Sequence, residues 1–287
     1  MRKVSAVFNS PQGHWVGDGF PVRTMFSYDR LSRLLSPFLL LDYAGPAEFA
    51  PAEKPRGVGA HPHRGFETVT IVYHGSVAHR DSAGNGGVIG AGDVQWMTAG
   101  AGLLHEEMHT PEFTRSGGLL EAAQLWVNLP AAHKTTPPRY QTLSSAQIPT
   151  VALPDRAGTL RVIAGEYAGQ RGPADCFTPL NVWDLHLQAG QEVQLPIPAG
   201  WNSVVALLRG QMDVGAEQPL GAADLAIFEN DGESLRLRAH SDCLALVLSG
   251  EPINEPVVGY GPFVMNTRAE VEAAFTDYQT GLFGSMS

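Results

Sequence analysis

The sequence is poor in cysteine, in positive charge and in long apolar runs. Only Cys176 and Cys243 occur among its 287 residues, which argues against a disulfide framework and suits a reducing compartment. Acidic side chains outnumber basic ones by 29 to 19, so the clustered Lys and Arg that nucleic acid or an anionic membrane would require are lacking. No run reaches the length of a membrane span or a signal-peptide core. We therefore expect a cytoplasmic protein that binds neither nucleic acid nor membranes.

Glycine and proline, by contrast, are abundant, with 32 and 21 residues that separate short apolar runs. This distribution of glycine and proline favours an all-β architecture over a helical one. The chain length suits two domains, each able to bury a core of its own.

The clearest predicted strand covers residues 67–73, where apolar and polar side chains alternate. Glu67, Val69 and Ile71 fall on one face. If the extended conformation reaches back to residue 61, His61 and His63 share that face and form a polar mouth above an apolar barrel floor. A glycine-rich loop at residues 82–87 and further strand character up to residue 97 follow.

The second half of the chain repeats the first in outline. The segment GFETVTIVYHG at residues 65–75 aligns with GWNSVVALLRG at 200–210, and AGDVQWM at 91–97 aligns with AADLAIF at 222–228. The second copy lacks every candidate ligand of the first, with Pro196, Pro198, Asn202, Arg236 and Arg238 at the positions of His61, His63, Glu67, His105 and Glu107. We place the boundary in the proline-containing stretch 133–140, which gives a metal-binding domain at 1–135 and a ligand-free domain at 136–287.

One helix is predicted near the end of the chain, after the strand pattern stops at residue 250. Thr267 is its expected N-cap, Glu270 occupies the capping-box position, and Gly281 lies near its end.

Two pairs of side chains at i, i+2 spacing could bind a metal ion. His61 with His63, and His105 with Glu107, each point to one side of an extended segment, so two neighbouring segments can surround a cation. This set suits Fe(II), Mn(II), Ni(II), Cu(II), Co(II) or Zn(II) and leaves coordination positions for substrate or dioxygen. Six further histidines have no partner at ligand spacing, and we interpret them as surface or structural residues: His74, His79, His109, His133, His186 and His240.

The motifs resemble those of the pirins, bicupin members of the cupin superfamily. The similar stretches cover nearly the whole chain in order, and they are PFLLLDY (37–43), HPHRGFETVT (61–70), GDVQWMTAGAGLLHEEM (92–108), QLWVNLP (124–130), GEPINEPVV (250–258) and GPFVMNT (261–267). The resemblance implies two tandem cupin (jelly-roll) β-barrels with a short C-terminal helix, and a metal ion in the first barrel. It also implies His61, His63, His105 and Glu107 as ligands, with Glu67 either orienting these ligands or serving as a reserve ligand.

Bacterial pirins are similar to quercetin 2,3-dioxygenases, so the first functional expectation is an enzyme that cleaves a flavonol with dioxygen and releases carbon monoxide. One divalent ion, Fe(II) by preference, would bind the substrate, and Glu107 would act as the catalytic base. The alternative is an iron-dependent regulator that acts through a protein partner, as eukaryotic pirins resemble transcription cofactors. A third interpretation is a cupin that uses its metal without dioxygen. We expect a monomer.

Overall fold

The chain folds into two units, each built from a seven-stranded and a four-stranded antiparallel sheet. The computed structural model describes residues 1–10 and 12–286, with Arg30 and Arg33 described by their backbone alone. We call the unit formed by Gly13–Arg30, Phe38–Ser145 and Asn254–Ser287 the first sandwich. The second sandwich consists of Met1–Gln12, Leu31–Pro37 and Ala146–Ile253.

The strands and helices have the following bounds in chain order. The strands of the first half are β1 (Val4–Phe8), β2 (His14–Val16), β3 (Phe20–Ser27), β4 (Phe38–Phe49), β5 (Gly57–His63), β6 (Phe66–His74), β7 (Ser76–Asp81), β8 (Gly86–Gly90), β9 (Val94–Thr98), β10 (Leu103–His109), β11 (Gly118–Asn128) and β12 (Arg139–Leu143). Those of the second half are β13 (Thr150–Ala152), β14 (Gly158–Ala164), β15 (Glu166–Tyr167), β16 (Gln170–Arg171), β17 (Leu180–Leu187), β18 (Glu192–Pro196), β19 (Asn202–Arg209), β20 (Met212–Val214), β21 (Gln218–Leu220), β22 (Asp224–Phe228), β23 (Ser234–Ala239), β24 (Cys243–Gly250), β25 (Val258–Tyr260) and β26 (Phe263–Met265). The helices are α1 (Tyr28–Leu35), α2 (Pro111–Ser116) and α3 (Arg268–Gln279), with 3₁₀ turns at Ala131–His133, Ser145–Gln147 and Pro154–Arg156.

The two sandwiches share one topology. The large sheets run β12-β9-β6-β11-β4-β3-β2 and β1-β22-β19-β24-β17-β14-β13, and the small sheets run β5-β10-β7-β8 and β18-β23-β20-β21. The predicted repeat is therefore present as a repeated strand order, and the all-β expectation is confirmed. Neither unit is a single continuous stretch of the chain, because β1 belongs to the second sandwich and residues 254–287 belong to the first. The contiguous domains 1–135 and 136–287 stay a prediction.

The interiors of the two sandwiches differ in polarity. The second encloses a large continuous cluster of buried apolar side chains contributed by both of its sheets, among them Trp183, Leu195, Val205 and Leu235. The first also contains apolar clusters, and it buries polar side chains such as His105. Because burying a polar group costs free energy unless it has a partner, this polar interior needs its own explanation.

The C-terminal helix α3 starts as predicted. The Oγ1 atom of Thr267 accepts a hydrogen bond from the N–H of Glu270, and the Glu270 carboxylate accepts one from the N–H of Thr267. Arg64, the residue after β5, pairs with Asp277 of this helix at 2.8 Å. Its guanidinium also donates to the carbonyl of Ala101 and lies 4.8 Å from the ring centre of Phe283. These contacts fasten α3 and the chain after it to the end of β5.

The sequence predicts neither a disulfide framework nor a membrane span. Cys176 and Cys243 are both free thiols. Among the described residues, no helix combines the length and the apolar character that crossing a bilayer requires.

Candidate metal centre

Three histidines come together where β5 and β10 pair in the first sandwich. His105 on β10 lies directly opposite His61 on β5, and Leu103 lies opposite His63. Donor nitrogens of the three imidazoles all lie within 4.8 Å of one another. His63 and His105 are buried and His61 is partly exposed, so the group can be reached from one side.

Each of these imidazoles uses its Nδ1 atom for a contact within the protein. Nδ1 of His61 lies 2.8 Å from the carbonyl oxygen of Gly59, Nδ1 of His63 lies 3.4 Å from that of Pro262, and Nδ1 of His105 lies 3.4 Å from Nδ1 of His79. Metal-binding histidines characteristically use one ring nitrogen in this way and leave the other for the ion.

The remaining Nε2 of His105 provides a test of whether a metal fits. This atom is buried and has no hydrogen-bond partner among the described residues. A buried polar atom without a partner costs about 1–3 kcal/mol, and a bound cation would remove that cost. Three imidazole nitrogens match the donor preferences of divalent transition metals, so the residues fit the ion that the sequence predicts.

The surroundings of His63 and His105 favour neutral imidazoles, the form that binds metal. Burial is the main cause that lowers the pKa of His63 well below its usual value, and the neighbouring His61 adds to it. Burial likewise lowers the pKa of His105, followed by the effects of His63, His61 and His79.

Glu107 lies next to the three clustered histidines but is not a member of that cluster. Its buried carboxylate accepts hydrogen bonds from Thr70 and Gln95 at Oε1 and from Gln124 at Oε2, the last at 2.7 Å. Glu107 and His61 line the same small cavity of about 50 Å³. The structure therefore brings the three predicted imidazole ligands together and places the predicted carboxylate next to them.

Glu67 is held elsewhere. It accepts a hydrogen bond from Thr98 at 2.7 Å, and it belongs neither to the histidine group nor to the cavity lining among the described residues. The expected common face of His61, His63 and Glu67 is wrong, because Gly65 (φ +89°) turns the chain between β5 and β6, which lie in different sheets. Thr70, from the opposite face of β6, lines the cavity instead.

Comparison with known proteins identifies the family. Residues 19–127 match Pirin, and residues 182–284 match the Pirin C-terminal cupin domain. The chain belongs to the pirin family. This confirms the family and the two-cupin fold that the sequence predicts.

Relatives of this pirin occur in bacteria and in animals. A Pseudomonas aeruginosa protein named "Putative quercetin 2,3-dioxygenase" is 56% identical over 283 residues, which cover 99% of each chain. A crystal structure of quercetin 2,3-dioxygenase from Acinetobacter baumannii has 53% identity and a TM-score of 0.98, with 100% of both chains covered. Pirin of Mus musculus is 39% identical over 274 residues, which cover 93% of this pirin and 89% of the mouse protein.

Sequence reasoning missed the residues that surround the predicted ligands of this pirin. His79 on β7 is buried, contacts His105, and stacks on Tyr140 with ring centres 4.7 Å apart. Asp81, two residues further along β7, contacts His79. The signal was present in the sequence, since His79 and Asp81 repeat the i, i+2 spacing of the two predicted ligand pairs.

The second sandwich of this pirin fills the equivalent positions with apolar side chains. His105 lies opposite His61 in the first sandwich, and Leu235 lies opposite Leu195 in the second. Strand pairing therefore makes Leu235 the counterpart of His105 and Leu195 the counterpart of His61. It likewise equates Glu107, opposite His79, with Leu237, opposite Val214. All four of these second-sandwich residues belong to its apolar core, together with Ile197 at the position of His63.

The equivalences predicted for Pro196, Pro198, Arg236 and Arg238 are therefore wrong by one residue. Ungapped alignment fails because the loops that connect these strands differ in length between the two copies, and a shift of one residue moves a side chain to the other face of a strand. Arg236 in fact lies at the surface, where it pairs with Glu192 at 2.8 Å. The absence of the predicted ligands from the second copy is unaffected.

Proposed function

We propose that this pirin is a metal-dependent dioxygenase that cleaves a flavonol such as quercetin and releases carbon monoxide. The observation that carries the proposal is the group of three imidazoles, each with its Nδ1 engaged, beside a buried carboxylate in one cavity. Two relatives at 56% and 53% identity bear the name of this activity.

In this proposal His61, His63, His105 and Glu107 hold one divalent ion, with Fe(II) as the first choice. The bound ion supplies the positive charge that stabilises the flavonol 3-hydroxyl as an anion. Glu107 receives the proton of that hydroxyl, and the donors on both of its oxygens keep the carboxylate in position while it does so. Glu67, bonded to Thr98, supports the neighbouring strand β9 and takes no part in the proton transfer.

The size of the cavity limits how the substrate enters. About 50 Å³ is available, whereas a site for a molecule the size of a flavonol usually measures roughly 300 Å³ or more. Binding therefore requires the apolar side chains that line the cavity, such as Val16, Phe20 and Val58, to move aside. Because β2, which carries Val16, is an edge strand of three residues, we expect this edge to move first.

The direct test is aerobic incubation of metal-loaded protein with quercetin. We expect the flavonol absorbance to fall, with consumption of dioxygen and release of carbon monoxide in equal amounts. His63→Ala should abolish the reaction, and His240→Ala, a change at an exposed histidine paired with Asp213, should not. No turnover with Fe(II), Mn(II), Ni(II), Co(II), Cu(II) or Zn(II) would contradict the proposal and leave the regulatory alternative as the hypothesis to test.

A further inference from the structure

The surroundings of His105 extend beyond the predicted ligands. Nδ1 of His105 lies 3.4 Å from Nδ1 of His79, and Nε2 of His79 lies 3.4 Å from Oδ2 of Asp81. All three side chains are buried. They form a chain of contacts from Asp81 through His79 to His105. The other ring nitrogen of His105, Nε2, has no hydrogen-bond partner among the described residues.

We propose that Asp81 and His79 are positioning residues that fix the tautomer of His105 and so present its Nε2 atom to the metal. This inference rests on the proposed metal site, but it does not depend on which reaction the metal serves.

Asp81 determines where the hydrogen atoms lie along this chain of contacts. In the neutral form of His79, Nε2 bears the hydrogen, because the Asp81 carboxylate that faces it can only accept. The Nδ1 atom of His79 then has a lone pair and can only accept. Nδ1 of His105 must therefore donate to it, which leaves the lone pair of His105 on Nε2, the atom that a metal would bind.

The polarity of this chain is set by the loop after β7. Oδ1 of Asp81 accepts the backbone N–H groups of Ala83 and Asn85, each at 2.9 Å, and the Asn85 amide donates to both carboxylate oxygens. These donors hold the carboxylate as an acceptor facing His79. The glycine-containing loop of residues 82–85 thus has a role in the site beyond closing a hairpin.

Tyr140 connects the same arrangement to Glu107. Its ring stacks on His79 with an interplanar angle of 14°, and its hydroxyl donates to Oε1 of Gln95 at 3.0 Å. This bond turns the amide of Gln95 so that its Nε2 donates to Glu107. One layer of side chains therefore orients both His105 and Glu107.

Three variants separate this role from simple packing. Asp81→Asn keeps the shape and an oxygen for the loop N–H groups, but it turns an amide N–H toward His79. His79 must then accept at Nε2 and donate from Nδ1, which places the hydrogen of His105 on Nε2. His79→Leu removes the chain of contacts. His79→Gln can still donate to Asp81 and accept from His105, so it should behave as the conservative replacement.

The first measurement is the tautomer of His105 in the metal-free, full-length protein. In protein labelled with ¹⁵N-histidine, long-range ¹H–¹⁵N spectra distinguish the two neutral tautomers, and His105→Gln assigns the signal. We expect the Nδ1–H form in the unchanged protein and in His79→Gln, and the Nε2–H form in Asp81→Asn. Asp213→Asn, which changes the partner of the exposed His240, is the matched control and should leave the His105 signal unaltered.

The second measurement is the affinity for cobalt(II), from its visible absorption in competition with a chelator. Asp81→Asn and His79→Leu should bind about 10-fold to 100-fold more weakly, and His79→Gln should stay within a few-fold of the unchanged protein. An Nε2–H tautomer in the unchanged protein, or unaltered tautomer and affinity in Asp81→Asn, would overturn the inference. Neither measurement involves quercetin, so a failure of the dioxygenase proposal is recognised separately.

Discussion

At the residue scale, the site depends on which nitrogen each histidine leaves free. His61, His63 and His105 each engage Nδ1, but with different partners: two backbone carbonyls and one imidazole. A carbonyl can only accept, so it fixes the ring hydrogen by itself. An imidazole can donate or accept, so His105 alone needs a further group to decide its tautomer. This difference explains why a buried acidic residue accompanies His79.

The first prediction concerns metal content. His63→Ala should lose most of the bound metal, because it removes one of the three clustered imidazoles. His240→Ala should retain the metal, since that residue pairs with Asp213 in the other sandwich. Elemental analysis of protein purified without added metal gives the result, and equal metal content in the two variants would mean that the site lies elsewhere.

The second prediction distinguishes the two carboxylates. Glu107→Gln should reduce turnover of quercetin by about 10²-fold or more, the usual contribution of a general base, because Glu107 lines the cavity. Glu67→Gln should reduce it less than tenfold and keep the metal, because Glu67 is bonded to Thr98 away from the cavity. Initial rates and metal content are measured on the same preparations. A larger effect for Glu67→Gln would reverse the assignment.

At the element scale, the ligand strand β5 is held by the end of the chain. Arg64 links the end of β5 to Asp277 of α3 and to the ring of Phe283, and Pro262 supplies the carbonyl next to His63. These residues lie about 200 positions apart in sequence, so the geometry of the site depends on a segment far from the ligand motifs.

The third prediction tests this attachment. Arg64→Met should lower the free energy of unfolding by about 2 kcal/mol, because it breaks charge-assisted hydrogen bonds of a mostly buried side chain. It should also weaken cobalt(II) binding, since His63 precedes it. Arg80→Met is the control: Arg80 pairs with Glu106 while 59% exposed, and such pairs contribute at most about 1 kcal/mol. Urea titration and chelator competition measure both effects, and similar losses in the two variants would contradict the role of Arg64.

Sequence patterns predicted elements well and their mutual arrangement poorly. Alternation located β6, and the capping box at Thr267 located α3. The i, i+2 pairs located the histidines that cluster. The shared face with Glu67 failed because a single glycine, Gly65, changes the direction of the chain. The i, i+2 spacing of His79 and Asp81 marks this pair too, but the contact of His79 with His105 joins two strands and is not visible in the local sequence.

At the scale of the whole molecule, one topology is used in two ways. Eight polar positions of the first sandwich have apolar counterparts in the second. The polar residues are His61, His63, His105, Glu107, His79, Thr70, Gln95 and Gln124. Their counterparts, in the same order, are Leu195, Ile197, Leu235, Leu237, Val214, Val205, Ala226 and Val247. The same strand order therefore occurs around an apolar core. It does not by itself require the polar interior of the first sandwich, so those side chains are better explained by the chemistry of a bound ion.

The last prediction concerns the segment that completes the second sandwich. Arg2 precedes β1, is fully buried, and donates to the carbonyls of Pro198, Trp201 and Gly232 and to the hydroxyl of Ser203. Arg2→Met should lower the free energy of unfolding by about 3 kcal/mol or more, because four acceptors, one of them the buried Ser203 hydroxyl, lose a charged donor. Lys3→Met, at the exposed neighbouring position, should have little effect.

The same variant also tests whether the second sandwich contributes to metal binding. All predicted ligands lie in the first sandwich, whereas Arg2 and its acceptors lie in the second. Under conditions where Arg2→Met remains folded, its cobalt(II) affinity should equal that of the unchanged protein, while its urea midpoint falls. A parallel loss of affinity would mean that the second sandwich contributes to the geometry of the metal site and so has a part in the chemistry.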